Sequence, residues 1–251
     1  MKVSVLLSAY NAEDFIEEAI KSILEQSYKN IELIIINDGS TDGTLNIINN
    51  FDDPRIILID RENKGLTKSL NDAIDVATGE YLCRQDADDH SYKDRIEKQL
   101  EFLIETKSDV VFCQSYDGLN TMPKRHMLNK HITARQLIFG NVLAHGTVFG
   151  KTSIFKENKY DEVWRFGQDY ELWLRLLTLG YNMNWSEDVL YFLKRHKNSI
   201  SVLNATKQEE LAINAIEKNG YNNLFFIKNK DGKISTLFRK TLKRFILLIE
   251  K

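Results

Sequence analysis

The feature that most constrains the fold is an alternation of short apolar runs with amphipathic stretches over the first 89 residues. The apolar runs predict strands, and the stretches between them, with apolar residues at helical spacing, predict helices. Connections of this length between neighbouring parallel strands are right-handed crossovers. The pattern therefore predicts an α/β fold with a Rossmann-like, mostly parallel central sheet flanked by helices. The predicted strands are Val3–Ser8, Ile31–Ile36, Ile56–Ile59 and Tyr81–Arg84, and the predicted helices are 12–26, 44–51 and 66–77.

The pattern is looser after residue 90 but shows no linker rich in proline, glycine or serine. We expect one domain over residues 1–202, made of a Rossmann-like half (1–89) and a second half (90–202), followed by a helical C-terminal extension (203–251). The family resemblance given below implies that the first half binds the nucleotide and that the second is the acceptor side. The elements predicted in the second half are helices at 92–106, 133–139 and 168–179 and strands at Val110–Cys113 and Thr147–Phe149.

Composition excludes several classes of protein. Of the 251 residues, 43% are hydrophobic, which is enough for a core. A net charge of -2 carries no signature of nucleic-acid binding. Two cysteines, Cys83 and Cys113, form no disulfide framework and favour a reduced compartment. No apolar run is long enough to span a membrane and the N-terminus does not fit a secretory signal, so we predict a cytoplasmic protein.

The end of the chain is basic. Residues 228–251 contain eight Lys or Arg against Asp231 and Glu250, a local charge of +6. A basic amphipathic helix of this kind either lies on an anionic membrane surface or packs on the domain, and both interpretations stay open. The apolar residues at helical spacing are Leu237, Phe238, Leu242, Phe245, Ile246 and Ile249.

Three carboxylates follow the fourth predicted strand, in the segment Gln85-Asp86-Ala87-Asp88-Asp89. Carboxylates this close repel one another unless a cation or donor lies between them. Mg²⁺ and Mn²⁺ prefer oxygen ligands and often complete their shell with substrate phosphates. The segment therefore predicts a metal-diphosphate site, with a solvated acidic turn as the alternative.

Polar loops also follow the first three predicted strands, at 8–11, 37–42 and 61–65. Ligands of open α/β sheets bind outside the carboxyl ends of the strands, so these loops are expected at the site. Asp38 could accept a hydrogen bond from a pyrimidine ring, although an ordinary turn and helix cap would select the same residues. The glycine-rich dinucleotide motif, the P-loop and zinc motifs are all missing, which argues against those sites.

Taken together and in order, these segments resemble the inverting family 2 glycosyltransferases of GT-A fold, over about residues 1 to 202. The segments that carry the resemblance are Ser4–Asn11, Ile36–Asp42, Gly79–Leu82, Arg84–Asp89, Gln168–Arg175 and Arg195–Ser201. The resemblance implies a donor site that holds a UDP-sugar, with Asp38 on the uracil and Asp86 on the ribose. The residues that it assigns to the donor are Ser8, Ala9, Tyr10, Asn11, Asp38, Lys64, Asn71, Arg84, Asp86 and Ala87.

The resemblance also implies a divalent cation, Mn²⁺ or Mg²⁺, bound by Asp88 and Asp86 with His196. Asp169 stands where the family keeps its general base. The family usually has Glu-Asp there, whereas this chain has Gln168-Asp169, so one neighbouring charge is lost.

Further residues are assigned more weakly. The resemblance places His145 on the acceptor side and Arg195 with His196 in a late loop near the diphosphate. Trp164, Trp173 and Trp185 could stack on an acceptor sugar, but Trp173 lies at helical spacing with leucines, and core packing is the better prediction for it.

The function expected from the resemblance is transfer of a hexose or N-acetylhexosamine from a UDP-sugar to a growing surface glycan, such as a lipooligosaccharide, a capsule or a lipid-linked oligosaccharide. The basic tail would suit peripheral contact with an anionic inner membrane. The alternatives are a catalytically degenerate nucleotide-sugar binding module, a nucleotidyltransferase or a hydrolase.

Overall fold

The computed structural model describes residues 1–117, 130–137, 141–194 and 205–221. Eight strands are found in these ranges, and they form one sheet in the spatial order β3-β2-β1-β4-β7-β6-β8-β5. In chain order they are β1 (Val3–Ala9), β2 (Ile31–Asp38), β3 (Ile56–Arg61), β4 (Tyr81–Asp86), β5 (His90–Ser91), β6 (Val110–Tyr116), β7 (Phe149–Lys151) and β8 (Met183–Phe192).

Helices flank the sheet. Those of the described residues are α1 (Ile16–Leu24), α2 (Thr44–Asn49), α3 (Leu66–Val76), α4 (Arg95–Glu105), α5 (Ala134–Leu137), α6 (Thr152–Glu157), α7 (Gln168–Thr178) and α8 (Ala205–Lys218), with a 3₁₀ turn at His145–Thr147.

The fold predicted for the first half is confirmed. Strands β1 to β4 pair in parallel in the order 3-2-1-4. Strands β2 and β4 run two residues further than predicted, to Asp38 and Asp86. The first helix begins at Ile16 instead of residue 12, because the amides of Phe15 and Ile16 both donate to the Ala12 carbonyl and close a turn first.

The second half departs from prediction in two places. The predicted strand at Thr147–Phe149 is wrong in position: residues 145–147 form the 3₁₀ turn, in which the Thr147 amide and hydroxyl both donate to the Ala144 carbonyl. The strand begins only at Phe149, where it pairs antiparallel with both β4 and β6. Strands β5 and β8 and helix α6 were not predicted, whereas helix α8 lies within the extension over 203–251 that was expected to be helical.

Both faces of the sheet are covered, which explains the near-continuous apolar runs of the first strands. On β1, Val5 and Leu7 pack with α1 and α4, whereas Leu6 points to the opposite core beneath α3 and α7. Trp173 of α7 is fully buried, and its ring packs edge-on against the Phe112 ring with 4.9 Å between the ring centres. Trp164 and Trp185 belong to the same core. The prediction of core packing for Trp173 is thus confirmed.

Helix α8 packs against this core, since Ala215 and Ile216 are buried in it beside α7. The basic segment 228–251 lies outside the described residues, so its membrane contact stays a prediction. No helix in the described ranges is long and apolar enough to cross a membrane. Cys83 and Cys113 are free and buried.

A buried carboxylate ties the amino-terminal ends of β1, β2 and β4 together. Glu32 is 3% exposed and accepts hydrogen bonds from Lys2 and the Ser4 hydroxyl, both at 2.5 Å. The Thr78 amide and hydroxyl donate to it at 2.7 and 2.8 Å. Burial alone would raise the pKa of Glu32, but these hydrogen bonds outweigh burial and lower the pKa to about 2.

We expect Glu32→Gln to lower the free energy of unfolding by about 2 kcal/mol at neutral pH, because hydrogen bonds to a charged group are lost. The native pKa lies below the unfolded value of 4.5, so the charge stabilises the fold above pH 4.5 and that stabilisation is lost as the pH falls toward 2. Urea unfolding over this pH range measures the difference between wild type and variant, which should shrink on acidification. Glu17→Gln, in the exposed pair with Lys21, is the control and should change little.

Candidate active site

The acidic turn at the end of β4 is held by a buried glutamine. Gln85 is fully buried, and its side-chain amide donates to the carbonyls of Asp86 and Asp89 at 3.0 and 2.9 Å. Its side-chain oxygen accepts from the Ser91 hydroxyl at 2.6 Å. Both ends of the turn are therefore fixed to one side chain of the preceding strand.

The surroundings of this turn disfavour the charged forms of its carboxyl groups. Burial raises the pKa of Asp86, and the charges of Asp88 and Asp169 raise it further, although Arg84 opposes them in a direct ion pair. Burial also raises the pKa of Asp89, helped by Asp86 and Asp88 and opposed by hydrogen bonds from the Lys194 amide and the Tyr191 hydroxyl. A cation placed here would lower the energy of the charged forms.

Arg95 supports the acidic turn, and no sequence pattern predicts this role. The side chain is fully buried, yet its guanidinium donates to neutral groups: the Arg84 carbonyl at 3.0 Å, the Gly146 carbonyl at 2.6 Å and the Ser91 hydroxyl at 2.8 Å. It also lies 4.7 Å from the centre of the Tyr191 ring. From sequence Arg95 is one charged residue at the start of an amphipathic helix, which ordinarily lies in solvent.

Tyr191 of β8 connects this arginine to the acidic turn. Its hydroxyl accepts the Asp86 amide at 3.1 Å and bonds the Asp89 carboxyl group. A Cβ atom on Gly146 would lie 2.2 Å from that hydroxyl oxygen, so only glycine fits there. Because β8 was not predicted, Tyr191 was missed as well.

The loop after β1 contains the residues expected at the uridine. Ser8 lies between Ile36 and Asp86 in the sheet register, which brings the first, second and fourth strands together at one edge. Asn11 has φ 48° and binds the β2–α2 loop: its amide donates to the Ser40 hydroxyl, and its side-chain oxygen accepts the Thr41 amide at 2.8 Å. Tyr10 is 54% exposed beside it, where a flat ligand could stack.

Asp38 lies at the end of β2 and is already bonded within the chain. Its carboxylate accepts the amides of Lys64 and Gly65 at 2.9 and 2.8 Å and pairs with Arg61 at 2.8 Å. It thus fixes the loop after β3, and Lys64 itself points to solvent. The predicted contact between Asp38 and uracil has to share the carboxylate with these donors.

Asp169 lies in the first turn of α7, directly after Gln168. The preceding Gly167 has φ 68°, which lets the chain turn into the helix. The Asn141 side chain donates to the Asp169 carboxylate at 2.6 Å. Burial raises the pKa of Asp169, against the opposing effects of the Tyr170 amide, Arg84 and Asn141. The result is a well-held carboxylate that is more basic than an exposed one.

Of four further predicted residues, two lie in the described ranges and two do not. His145 lies close to the site: burial and Arg84 lower its pKa, and its Nε2 is 2.7 Å from the Tyr160 hydroxyl. Asn71 holds the same tyrosine by its backbone, accepting the Tyr160 amide and donating to the Tyr160 carbonyl. Arg195 and His196 lie outside the described residues.

The residues present fit a divalent cation. No group of three or more His, Cys, Asp or Glu side chains in the described ranges could hold a metal by itself. Asp86 and Asp88 offer carboxylate oxygens; burial raises the pKa of Asp86, the charges of Asp88 and Asp169 raise it further, and a bound cation would oppose both effects. A site with one or two carboxylates, completed by substrate phosphates and water, is what Mg²⁺ commonly uses.

Comparison with known proteins decides the family. A sequence model described as "Glycosyl transferase family 2" matches residues 4–162, more than half of the chain. The chain belongs to glycosyltransferase family 2. An uncharacterized glycosyltransferase of Haemophilus influenzae is 31% identical over 92% of this chain and 75% of its own length. The WfaP protein of Escherichia coli, named a UDP-Glc:alpha-D-GlcNAc-diphosphoundecaprenol beta-1,3-glucosyltransferase, is 31% identical over 83% of this chain and 82% of its own length.

Solved structures of similar fold agree with this glycosyltransferase assignment. Staphylococcus aureus TarS 1-349 in complex with UDP-GlcNAc matches with a TM-score of 0.72 at 20% identity, over 98% of this chain and 72% of that one. The mannosyltransferase PcManGT of Pyrobaculum calidifontis, in complex with GDP-Man and Mn²⁺, matches with a TM-score of 0.71 at 21% identity, over 98% and 69%. The predicted GT-A fold is confirmed.

We expect Tyr191→Phe to keep the fold of the glycosyltransferase and to lower its stability by about 1 kcal/mol, because the Asp86 amide and the Asp89 carboxyl group lose one partner. Thermal unfolding measures the loss. Tyr116→Phe, in the half-buried strand position beside Phe192, is the control and should change stability less. If the two variants lose the same amount of stability, the Tyr191 hydroxyl does not support the turn.

Proposed function

We propose that this glycosyltransferase moves a hexose or N-acetylhexosamine from a UDP-sugar to a hydroxyl of a growing surface glycan, with inversion at the sugar carbon. The observation that carries the proposal is that the carboxyl groups of Asp86 and Asp169 both interact with the guanidinium group of Arg84. Arg84 pairs directly with Asp86, both carboxyl groups raise the pKa of Arg84, and the charge of Asp169 raises the pKa of Asp86, although the two carboxylates come from different halves of the chain.

The donor would lie along the carboxyl edge of β1, β2 and β4. Asp86 and Asp88 would hold the cation against the diphosphate, and Tyr10 and Asp38 would contact the base. A bound divalent cation supplies Lewis-acid stabilisation of the charge that develops on the leaving diphosphate. Arg84 is buried next to Asp86 and adds a second positive charge on the same side.

Asp169 would act as general base. In the transfer, the acceptor hydroxyl oxygen bonds to the anomeric carbon while the bond from that carbon to the diphosphate breaks. The hydroxyl proton goes to the Asp169 carboxylate, and the diphosphate leaves with the bonding electrons. The hydrogen bond from Asn141 orients the carboxylate, and its raised pKa makes it a better proton acceptor.

The departure at Gln168 fits an active enzyme. Gln168 is 6% exposed, so its side chain is directed into the domain rather than to substrate. The family's usual acidic residue at this position would be a buried charge next to the base. Its loss leaves the Asp169 carboxylate and its contacts intact, which supports an enzyme over a degenerate binding module.

The comparisons support the class of donor and acceptor. WfaP is named for transfer from UDP-Glc to a GlcNAc-diphosphoundecaprenol, and the TarS structures hold UDP and UDP-GlcNAc. The Mn²⁺ in the PcManGT complex supports a divalent cation, while its GDP-Man makes a guanosine donor the competitor to test.

Donor choice is tested by thermal unfolding with UDP, UDP-glucose, UDP-N-acetylglucosamine and GDP-mannose, each with and without Mn²⁺. A ligand at 100 times its dissociation constant adds about 2.7 kcal/mol to stability. We expect a manganese-dependent shift with UDP and with one UDP-sugar. A thermal shift with GDP-mannose alone would overturn the uridine assignment. No shift with any of the four ligands would overturn the proposal of a nucleotide-sugar site.

The roles of the two carboxylates are tested separately. Asp169→Asn should lower kcat at least 100-fold while donor binding stays within about twofold, since only the proton acceptor is lost. Asp88→Ala should abolish the manganese-dependent part of donor binding. Asp94→Asn, in a surface ion pair with Lys98, is the control for both. An Asp169→Asn variant with wild-type kcat would exclude Asp169 as the base.

A further inference from the structure

A four-membered ion network joins the C-terminal helix to the helix that carries Asp169. Glu171 of α7 has no solvent exposure, and Arg175, one turn later, donates to it at 3.1 Å. Lys218, the last residue of α8, donates to the same Glu171 oxygen at 2.8 Å and to Asp161 at 2.8 Å. Two acids and two bases thus form a neutral set that draws on α7, α8 and the segment before α7.

The Glu171 carboxylate needs both cations. A buried carboxylate without full compensation is strongly destabilising, and removing one partner of a buried pair leaves the other charge exposed to a low dielectric. Arg175 is shared, because its guanidinium also donates to the Lys159 carbonyl at 2.8 Å. Among the described residues, Lys218 is therefore the side chain that fixes the Glu171 carboxylate from outside its own helix.

The network lies directly behind the proposed base. Glu171 is two residues after Asp169, in the first turn of α7. The segment that leads into α7 is held by the same groups: Lys218 binds Asp161 and lies 5.7 Å from the centre of the Trp164 ring. The Thr67 hydroxyl of α3 donates to the Trp164 carbonyl at 2.9 Å, which connects the segment to the donor half.

We propose that Lys218 is a positioning residue for the transfer reaction: from the C-terminal helix it holds the first turn of α7, and so sets where the Asp169 carboxylate lies relative to the donor. The inference rests on the proposed role of Asp169 as the base. It assigns a part in catalysis to a residue well beyond the segment 4–162 that matches the family. A displacement of a catalytic group by about 1 Å can cost up to about 100-fold in rate, so a modest loosening is measurable.

The test compares Lys218→Met and Lys218→Arg with Lys98→Met in the full chain. Lys98 is a matched control, because it also lies in a lysine–carboxylate pair, with Asp94 at 2.6 Å, and its side chain is 45% exposed against 41% for Lys218. The rate is UDP release from UDP-glucose or UDP-N-acetylglucosamine with a lipid-diphosphate-linked N-acetylglucosamine. The second readout, amide hydrogen exchange of peptides covering residues 166–176, needs no substrate.

We expect Lys218→Met to lower kcat about tenfold with the KM for the donor within twofold, and to speed exchange in the first turn of α7. Lys218→Arg should restore at least half of the wild-type kcat, because it keeps the charge. The inference is overturned if Lys218→Met matches Lys98→Met in kcat and exchange, or if the donor KM rises with kcat unchanged. If Asp169 is not the general base, Asp169→Asn will retain activity, and this result is distinct from the results that overturn the role of Lys218.

Discussion

The acidic turn at the carboxyl end of β4 depends on two buried guanidinium groups, those of Arg84 and Arg95. Arg95 gives hydrogen bonds to carbonyl and hydroxyl oxygens, so it fixes the turn without a hydrogen bond to the carboxyl groups of Asp86 and Asp89. Burial disfavours the charged forms of these two carboxyl groups, which is why both pKa values are raised. In the proposed function, a cation and a diphosphate bound at this turn would offset that cost of burial.

The second half of the site is built on a different principle. Asp169 is held by one side-chain donor and by the rigidity of α7, whose buried Glu171 is neutralised from a separate helix by Lys218. Arg84 lies where the two halves meet, since it influences the charge of both Asp86 and Asp169. The carboxylates of Asp86 and Asp169 are thus both placed near Arg84 by elements that lie far apart in the chain.

Much of the donor half could be predicted from sequence because its signals are local. Near-continuous apolar runs predicted β1 to β4, and polar residues directly after them predicted the loops that carry Ser8, Asp38 and Asp86. Strand β8 escaped detection because Asn184, Ser186 and two acidic residues interrupt its apolar pattern, and its pairing with β6 shifts register. Tyr191 lies on this strand and was therefore missed as well.

The sequence by itself determined the order of strands and helices over residues 1–89, the position of the polar loops and the family resemblance, because periodicity and motifs are properties of neighbouring residues. Only the tertiary structure decided which charges are buried and what they face. Arg95 and Lys218 look like surface residues of amphipathic helices, yet one is enclosed beneath the acidic turn and the other reaches Glu171, 47 residues earlier in the chain. Burial and charge pairing depend on distances between remote segments, and no local pattern encodes those distances.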